Sequence, residues 1–99
     1  MIVTFRQTGG IAGVRRGCLL DTSAMGEIEA HRLIELVQGA GILKRKSTKQ
    51  LGSAQDVFEY LIRITDGRLT CSAHFDDTTL PDSYRDLLKL LQEKSPMEP

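Results

Sequence analysis

The chain has 99 residues, 40% of them hydrophobic and 26% charged, the composition of one ordinary globular domain. Lys plus Arg and Asp plus Glu both number 13, so the net charge is zero and no overall bias draws the chain to nucleic acid or an anionic membrane. A domain of this size builds a compact core but leaves little room for a deep, enclosed active site.

Met1 to Arg6 meets a charge too early for a signal-peptide apolar region, and no later run approaches membrane-spanning length, so the expectation is a cytoplasmic protein. Within Ile2 to Gln7, Val3 and Phe5 share one parity and Thr4 and Arg6 the other, the alternation of a half-buried strand. Gly9-Gly10-Ile11-Ala12-Gly13 follows, glycines surrounding one large aliphatic side chain. Glycine takes positive φ without steric cost, so the run suits a tight reversal. Two readings of Ile11 stand at this point: it folds back onto the core, or it is an anchor held out for a partner's pocket.

Arg15 to Asp21 alternates again, with Cys18 and Leu20 opposite Arg15, Gly17 and Leu19, so the first two strands should pair as a hairpin. The period then changes. Asp21, Thr22 and Ser23 are capping residues, Glu27 and Glu29 suit the positive end of a helix dipole, and Ala30, Leu33, Ile34 and Val37 recur at helical spacing. Gly39 and Gly41 supply the stop. Leu43 to Gln55, with Lys44, Arg45, Lys46 and Lys49, reads as an exposed loop. Phosphate contact is its functional alternative, but it lacks interleaved aromatics and a basic helix face.

Phe58, Tyr60, Ile62 and Ile64 mark the clearest strand, Asp66-Gly67 the strongest hairpin turn, and Leu69, Cys71, Ala73 and Phe75 the returning strand. Asp76 to Thr79 makes a polar corner, Pro81 and Asp82 suit a helix start, and Tyr84, Leu87, Leu88 and Leu91 form a buried stripe ending near Lys94. The pattern predicts an α+β fold of order ββαββα, a four-stranded antiparallel sheet with both helices on one face, spanning residues 1–94. Residues 95–99 are expected as a flexible tail. The order in which the two hairpins sit side by side is left open.

Catalytic chemistry finds little support. The cysteines, Cys18 and Cys71, and the histidines, His31 and His74, form no set at metal-ligand spacing, and no cofactor is implied. Cys71, His74 and Asp76 are close in sequence, but strand alternation sends Cys71 to the core face and the other two away from it. Asp76 and Asp77 suffice as turn and cap residues. The glycine run lacks the Lys-Ser/Thr ending of a phosphate-binding loop.

The Gly9–Gly13 run with Arg15-Arg16, Leu20-Asp21-Thr22, the Phe58/Tyr60/Ile62 strand ending at Asp66-Gly67, and Phe75-Asp76-Asp77 with Leu80-Pro81 and Leu87-Leu88 together resemble the emfourin (protealysin inhibitor) family. The resemblance spans nearly the whole chain. It implies a small cytoplasmic bacterial inhibitor, not an enzyme, acting on a thermolysin-like zinc metallopeptidase. On that footing Gly9, Gly10, Ile11, Ala12, Gly13, Arg15 and Arg16 would meet the peptidase, with Ile11 in the pocket for a bulky residue. Asp76 and Asp77 are a possible secondary contact, or in a rival reading the groups that approach the zinc. Gly17, Gly26 and the basic 44–49 stretch depart from the family pattern. A different class of function, a module binding protein or nucleic acid, would rest on that basic stretch.

Overall fold

The computed structural model describes residues 1–10 and 13–98. The chain runs β1 (Ile2–Gly9), β2 (Val14–Asp21), α1 (Glu27–Ala40), β3 (Ser47–Gln50), β4 (Phe58–Asp66), β5 (Leu69–Asp76), α2 (Arg85–Glu93) and β6 (Met97–Glu98). The strands form one sheet in the order β3-β5-β4-β1-β2-β6. Its centre is the expected antiparallel array: β1 pairs with β2, Phe5 opposite Cys18, and with β4, Phe5 opposite Ile62, while β4 pairs with β5 through the Asp66-Gly67 turn.

Two edges correct the expected four-stranded ββαββα layout. Part of the stretch read as a basic loop is β3, which pairs in parallel with β5, Thr48 opposite Ala73. Being short, polar and largely exposed, it carries no alternation to read. Beyond α2, where a tail was expected, Met97–Glu98 pair antiparallel with Arg15–Arg16, and Ser95 is buried with its hydroxyl donating to the Leu91 carbonyl at 2.7 Å.

Alternation decides which face carries the core. Val3, Phe5, Tyr60, Ile62, Ile64, Cys71, Ala73 and Phe75 point to one side of the sheet, where Leu33 and Val37 of α1 and Leu87, Leu88 and Leu91 of α2 cover them. Both helices therefore lie on one face, as the single apolar parity of each strand requires. The opposite face is bare among the described residues. The Asp21 side chain caps a short 3-10 turn, Thr22–Ala24, rather than α1 itself. Helix α1 starts after Gly26, which offers no side-chain cap, and stops where Gly41 takes φ 82°.

Candidate functional site at the hairpin end

The β1–β2 ladder runs to its last pair, Gly9 opposite Val14, so the glycine-rich tip sits at one end of the sheet. Gly9, Gly10 and Gly13 have φ values of 102°, 77° and 61°, a region where a side chain is strained. The glycines are not equivalent. A Cβ on Gly9 would lie 2.7 Å from the Val57 carbonyl oxygen and one on Gly10 2.9 Å from the Phe58 ring, whereas one on Gly13 meets nothing within 4 Å. Gly10 also donates its N–H to the Val57 carbonyl at 3.2 Å. Gly9 and Gly10 thus come close against the start of β4, and Gly13 serves the turn alone. Ile11 and Ala12 fall outside the described residues.

The start of β4 is itself held by Asp77. Its carboxylate accepts the Phe58 N–H at 2.9 Å and the Tyr60 hydroxyl, while the Asp77 N–H donates to the Phe58 carbonyl at 3.2 Å. Burial, reinforced by the Asp77 carboxylate, pushes the Tyr60 phenol well above its ordinary pKa. Asp76, though only 2% exposed, belongs to the next turn: its carboxylate accepts the N–H groups of Thr78 and Gly52, each at 2.7 Å, and the Thr78 hydroxyl. The Thr78 hydroxyl, ahead of the backbone donors, holds the Asp76 carboxyl below the usual range against the opposing effect of burial. The structure thus brings Asp77 and the tip to the same end of the sheet, bridged by Phe58, and engages both carboxylates in hydrogen bonds within the fold.

Arg15 and Arg16 part company. Arg15 is exposed on the bare face, opposite Thr8. Arg16 points to the helix side, where its guanidinium donates to the carbonyls of Gln92 at 3.0 Å and Ser95 at 3.3 Å, at the end of α2. Gln7, opposite Arg16 and 3% exposed, accepts from the Gln92 amide at 3.0 Å. This half-buried polar clamp joins the hairpin to α2. Sequence parity carried a signal for it: Gln7 shares the parity of Val3 and Phe5, and Arg16 that of Cys18 and Leu20.

The remaining chemistry is dispersed. Cys71 is buried on the core face; His74 lies on the bare face, 3.6 Å from the Glu59 carboxylate. No group of three or more potential metal ligands occurs among the described residues, and none of their helices is long and apolar enough to cross a membrane.

Fold and hairpin together define a small α+β domain whose distinctive end is a glycine-rich tip braced by β4 on one side and α2 on the other. The Emfourin family model matches residues 5–92, and the chain belongs to that family. The match runs from β1 through nearly all of α2 and takes in both flanks of the tip. Membership implies a protease-inhibitor role. No curated protein and no solved structure matches the chain.

Proposed function

We propose that the protein inhibits a thermolysin-like zinc metallopeptidase by laying the Gly9–Gly13 tip across the active-site cleft, with Ile11 as the anchor and Arg15 beside it. The family match across the hairpin carries this reading. Three features support the tip over other parts of the surface. Its flanks close a paired ladder, Gly9 and Gly10 rest on β4, and Arg16 clamps the hairpin to α2, so both flanks of the tip are held before binding. The carboxylates of Asp76 and Asp77 are occupied within the fold, which favours occlusion over approach to the zinc. Arg16 is engaged with α2, which leaves Arg15 as the cation of the pair for steering.

Burial of Ile11 contributes about 1.5–3 kcal/mol, a factor of roughly 10–150, so the anchor works within a larger interface. The test is a progress-curve titration of thermolysin-like peptidases with the wild-type protein and Ile11→Asp. Stoichiometric inhibition by the wild type and a loss of about 100-fold or more in the variant, at an unchanged melting temperature, are expected. Absence of inhibition at excess across several such enzymes sinks the reading; an Ile11→Asp variant that inhibits normally sinks the anchor.

A further inference from the structure

An edge strand exposes unpaired backbone groups, and the two edges of this sheet differ in how they are guarded. Strand β3 is four residues long, polar, and carries Lys49, features that resist the addition of another strand. At the other edge β6 covers β2 only at Arg15 and Arg16, and among the described residues no strand lies beyond Gly17 to Asp21. Gly17-Cys18-Leu19-Leu20-Asp21 contains no lysine and no proline, and Leu19 is 65% exposed. Continuing the β1–β2 register, the Met1 carbonyl accepts the Thr22 N–H at 3.0 Å, so even-numbered residues of β2 bond back to β1 and odd-numbered ones turn outward, as Arg15 does toward Glu98. Gly17, Leu19 and Asp21 therefore direct their N–H and C=O groups away from the sheet.

The side chains along this edge are complementary to themselves. The bare face carries both signs, Asp21, Glu59, Asp76 and Glu98 beside Arg6, Arg15, Lys49 and Arg63. Arg6 has no ion-pair partner among the described residues. Only Gly17 separates it from the edge, and a Cβ there would lie 2.5 Å from the Phe5 carbonyl oxygen, so the close approach of β1 excludes a side chain. A depression of about 860 Å³ lies over that glycine, bordered by Arg6, Arg15, Thr4 and Leu19. A second β2 running antiparallel about Leu19 sets Leu19 against the partner's Leu19 and Gly17 against the partner's Asp21, each pair exchanging two backbone hydrogen bonds. The partner's Asp21 then faces Arg6 across the bare glycine, two strand spacings or about 10 Å between Cα atoms. One Asp21 oxygen takes the Ser23 N–H and hydroxyl, and the other is left for Arg6. On the covered side Cys18 meets the partner's Leu20, both half-buried against the core. A shift of two residues sets Leu19 against Asp21 or Gly17 and loses the match.

We propose that the protein self-associates through this edge, two copies joining β2 to β2 antiparallel about Leu19 into one continuous sheet. The free stretch and the strand that fills it have the same length, since β2 leaves the sheet for the Thr22–Ala24 turn directly after Asp21. The contact is isologous, and by its two-fold symmetry the Arg6–Asp21 pair forms twice. Five paired residues bury less than the about 800 Å² per partner of a standard interface, so the dimer is weak and forms at high protein concentration. The tip lies at the far end of β2, where Gly9 meets Val14. Antiparallel pairing therefore sends the two tips to opposite ends of the joined sheet and leaves both open. The proposal does not depend on what the tip binds.

The test combines sedimentation equilibrium with amide chemical shifts of labelled protein over a concentration series. The mean mass should rise from 11.0 kDa toward twice that value, with concentration-dependent shifts centred on Gly17, Leu19 and Asp21. In a mixture of labelled and unlabelled chains, filtered methyl contacts should join Leu19 to the partner's Leu19. Leu19→Lys places two ammonium groups on the symmetry axis and should weaken association at least tenfold. Arg6→Glu, which turns two attractions into repulsions, should weaken it about tenfold. Both variants should keep the wild-type melting temperature, and Lys49→Glu at the opposite edge should associate as the wild type does. A single mass of 11.0 kDa at every concentration up to about 1 mM would overturn the proposal. So would association that survives Leu19→Lys, or shifts centred on β3 or the helices. Inhibition assays keep the two readings apart: a wild type that dimerises without inhibiting keeps the edge and removes the tip, and inhibition by a chain monomeric throughout keeps the tip and removes the edge.

Discussion

Gly10 and Gly13 both hold positive φ, yet one packs on Phe58 and the other faces open space, so alanine at the two positions separates turning from packing. Alanine at positive φ costs about 1–2 kcal/mol at either position. A stiffer unfolded chain returns about 0.4–1 kcal/mol, which leaves Gly13→Ala about 1 kcal/mol less stable. At Gly10 the new methyl would sit 2.9 Å from a ring carbon of Phe58, closer than carbon contacts allow, so the ring or the tip must move. Overpacking of that kind adds about 1–3 kcal/mol. Gly10→Ala should therefore lose about 2–4 kcal/mol in urea unfolding followed by circular dichroism, against about 1 kcal/mol for Gly13→Ala. In a Phe58→Ala background the excess at Gly10 should vanish, a coupling that a double-mutant cycle reads directly. Equal losses at the two glycines, or an excess that survives removal of the ring, would refute the packing of the tip on β4.

Asp77→Ala leaves the Tyr60 hydroxyl and the Phe58 N–H without their acceptor and should cost about 1–3 kcal/mol in the same assay, with Tyr60→Phe costing less. Arg16→Ala frees the carbonyls at the end of α2 and should lower stability by about 1–3 kcal/mol, whereas Arg15→Ala should leave stability unchanged and slow association with a target; the reverse assignment would contradict the split of the pair. The Asp76 carboxyl titrates below its ordinary value of 3.8 in the folded chain. Its stabilisation is thus present above that pH and is lost as pH falls through the lowered folded value, so melting temperature should drop on acidification below about pH 4, and less steeply in Asp76→Asn. Tyr60 has the opposite sign: its raised folded pKa keeps stability intact below about pH 10 and removes it above, so Tyr60→Phe should soften the alkaline decline in melting temperature.

Periodicity made the centre of the fold legible. Val3 and Phe5, Tyr60, Ile62 and Ile64, and Cys71, Ala73 and Phe75 each recur every second residue, and all lie on the covered face because a strand has only two sides. Asp66-Gly67 placed the second hairpin turn for an equally local reason, with Gly67 at φ 62°. The neighbour of β1 was not legible, since a strand's own residues do not name its partner; the pairing of Phe5 with Ile62 joins segments nearly sixty residues apart. Nor was β3. Ser47–Gln50 is held by the backbone of β5, to which the Lys46 carbonyl also contributes by accepting the Ser72 N–H, and backbone pairing leaves no mark on side-chain pattern. At the candidate site the adjacent arginines looked like one feature, although alternation alone sends Arg15 and Arg16 to opposite faces.

That alternation also reorganises the reading of the hairpin. The tip, the Asp77 lock and the Arg16 clamp are consecutive supports of one end of the sheet: Phe58 joins the tip to Asp77, and Gln7 and Arg16 join the hairpin to α2. A change at Asp77 or Arg16 removes a support of the hairpin end, so on the proposed function it should act on stability and on inhibition together. A change at Arg6, Arg15 or Leu19 touches only the bare face and leaves the core as it was, because these side chains contribute nothing to the covered layer. On the proposed function, changes in the first group, at Asp77 and Arg16, should move both melting temperature and inhibition, and a change at Arg15, beside the tip, association alone. Glycines at Gly9 and Gly10 belong with the first group: what they keep clear is the protein's own β4, and the room they leave is room for the hairpin to close.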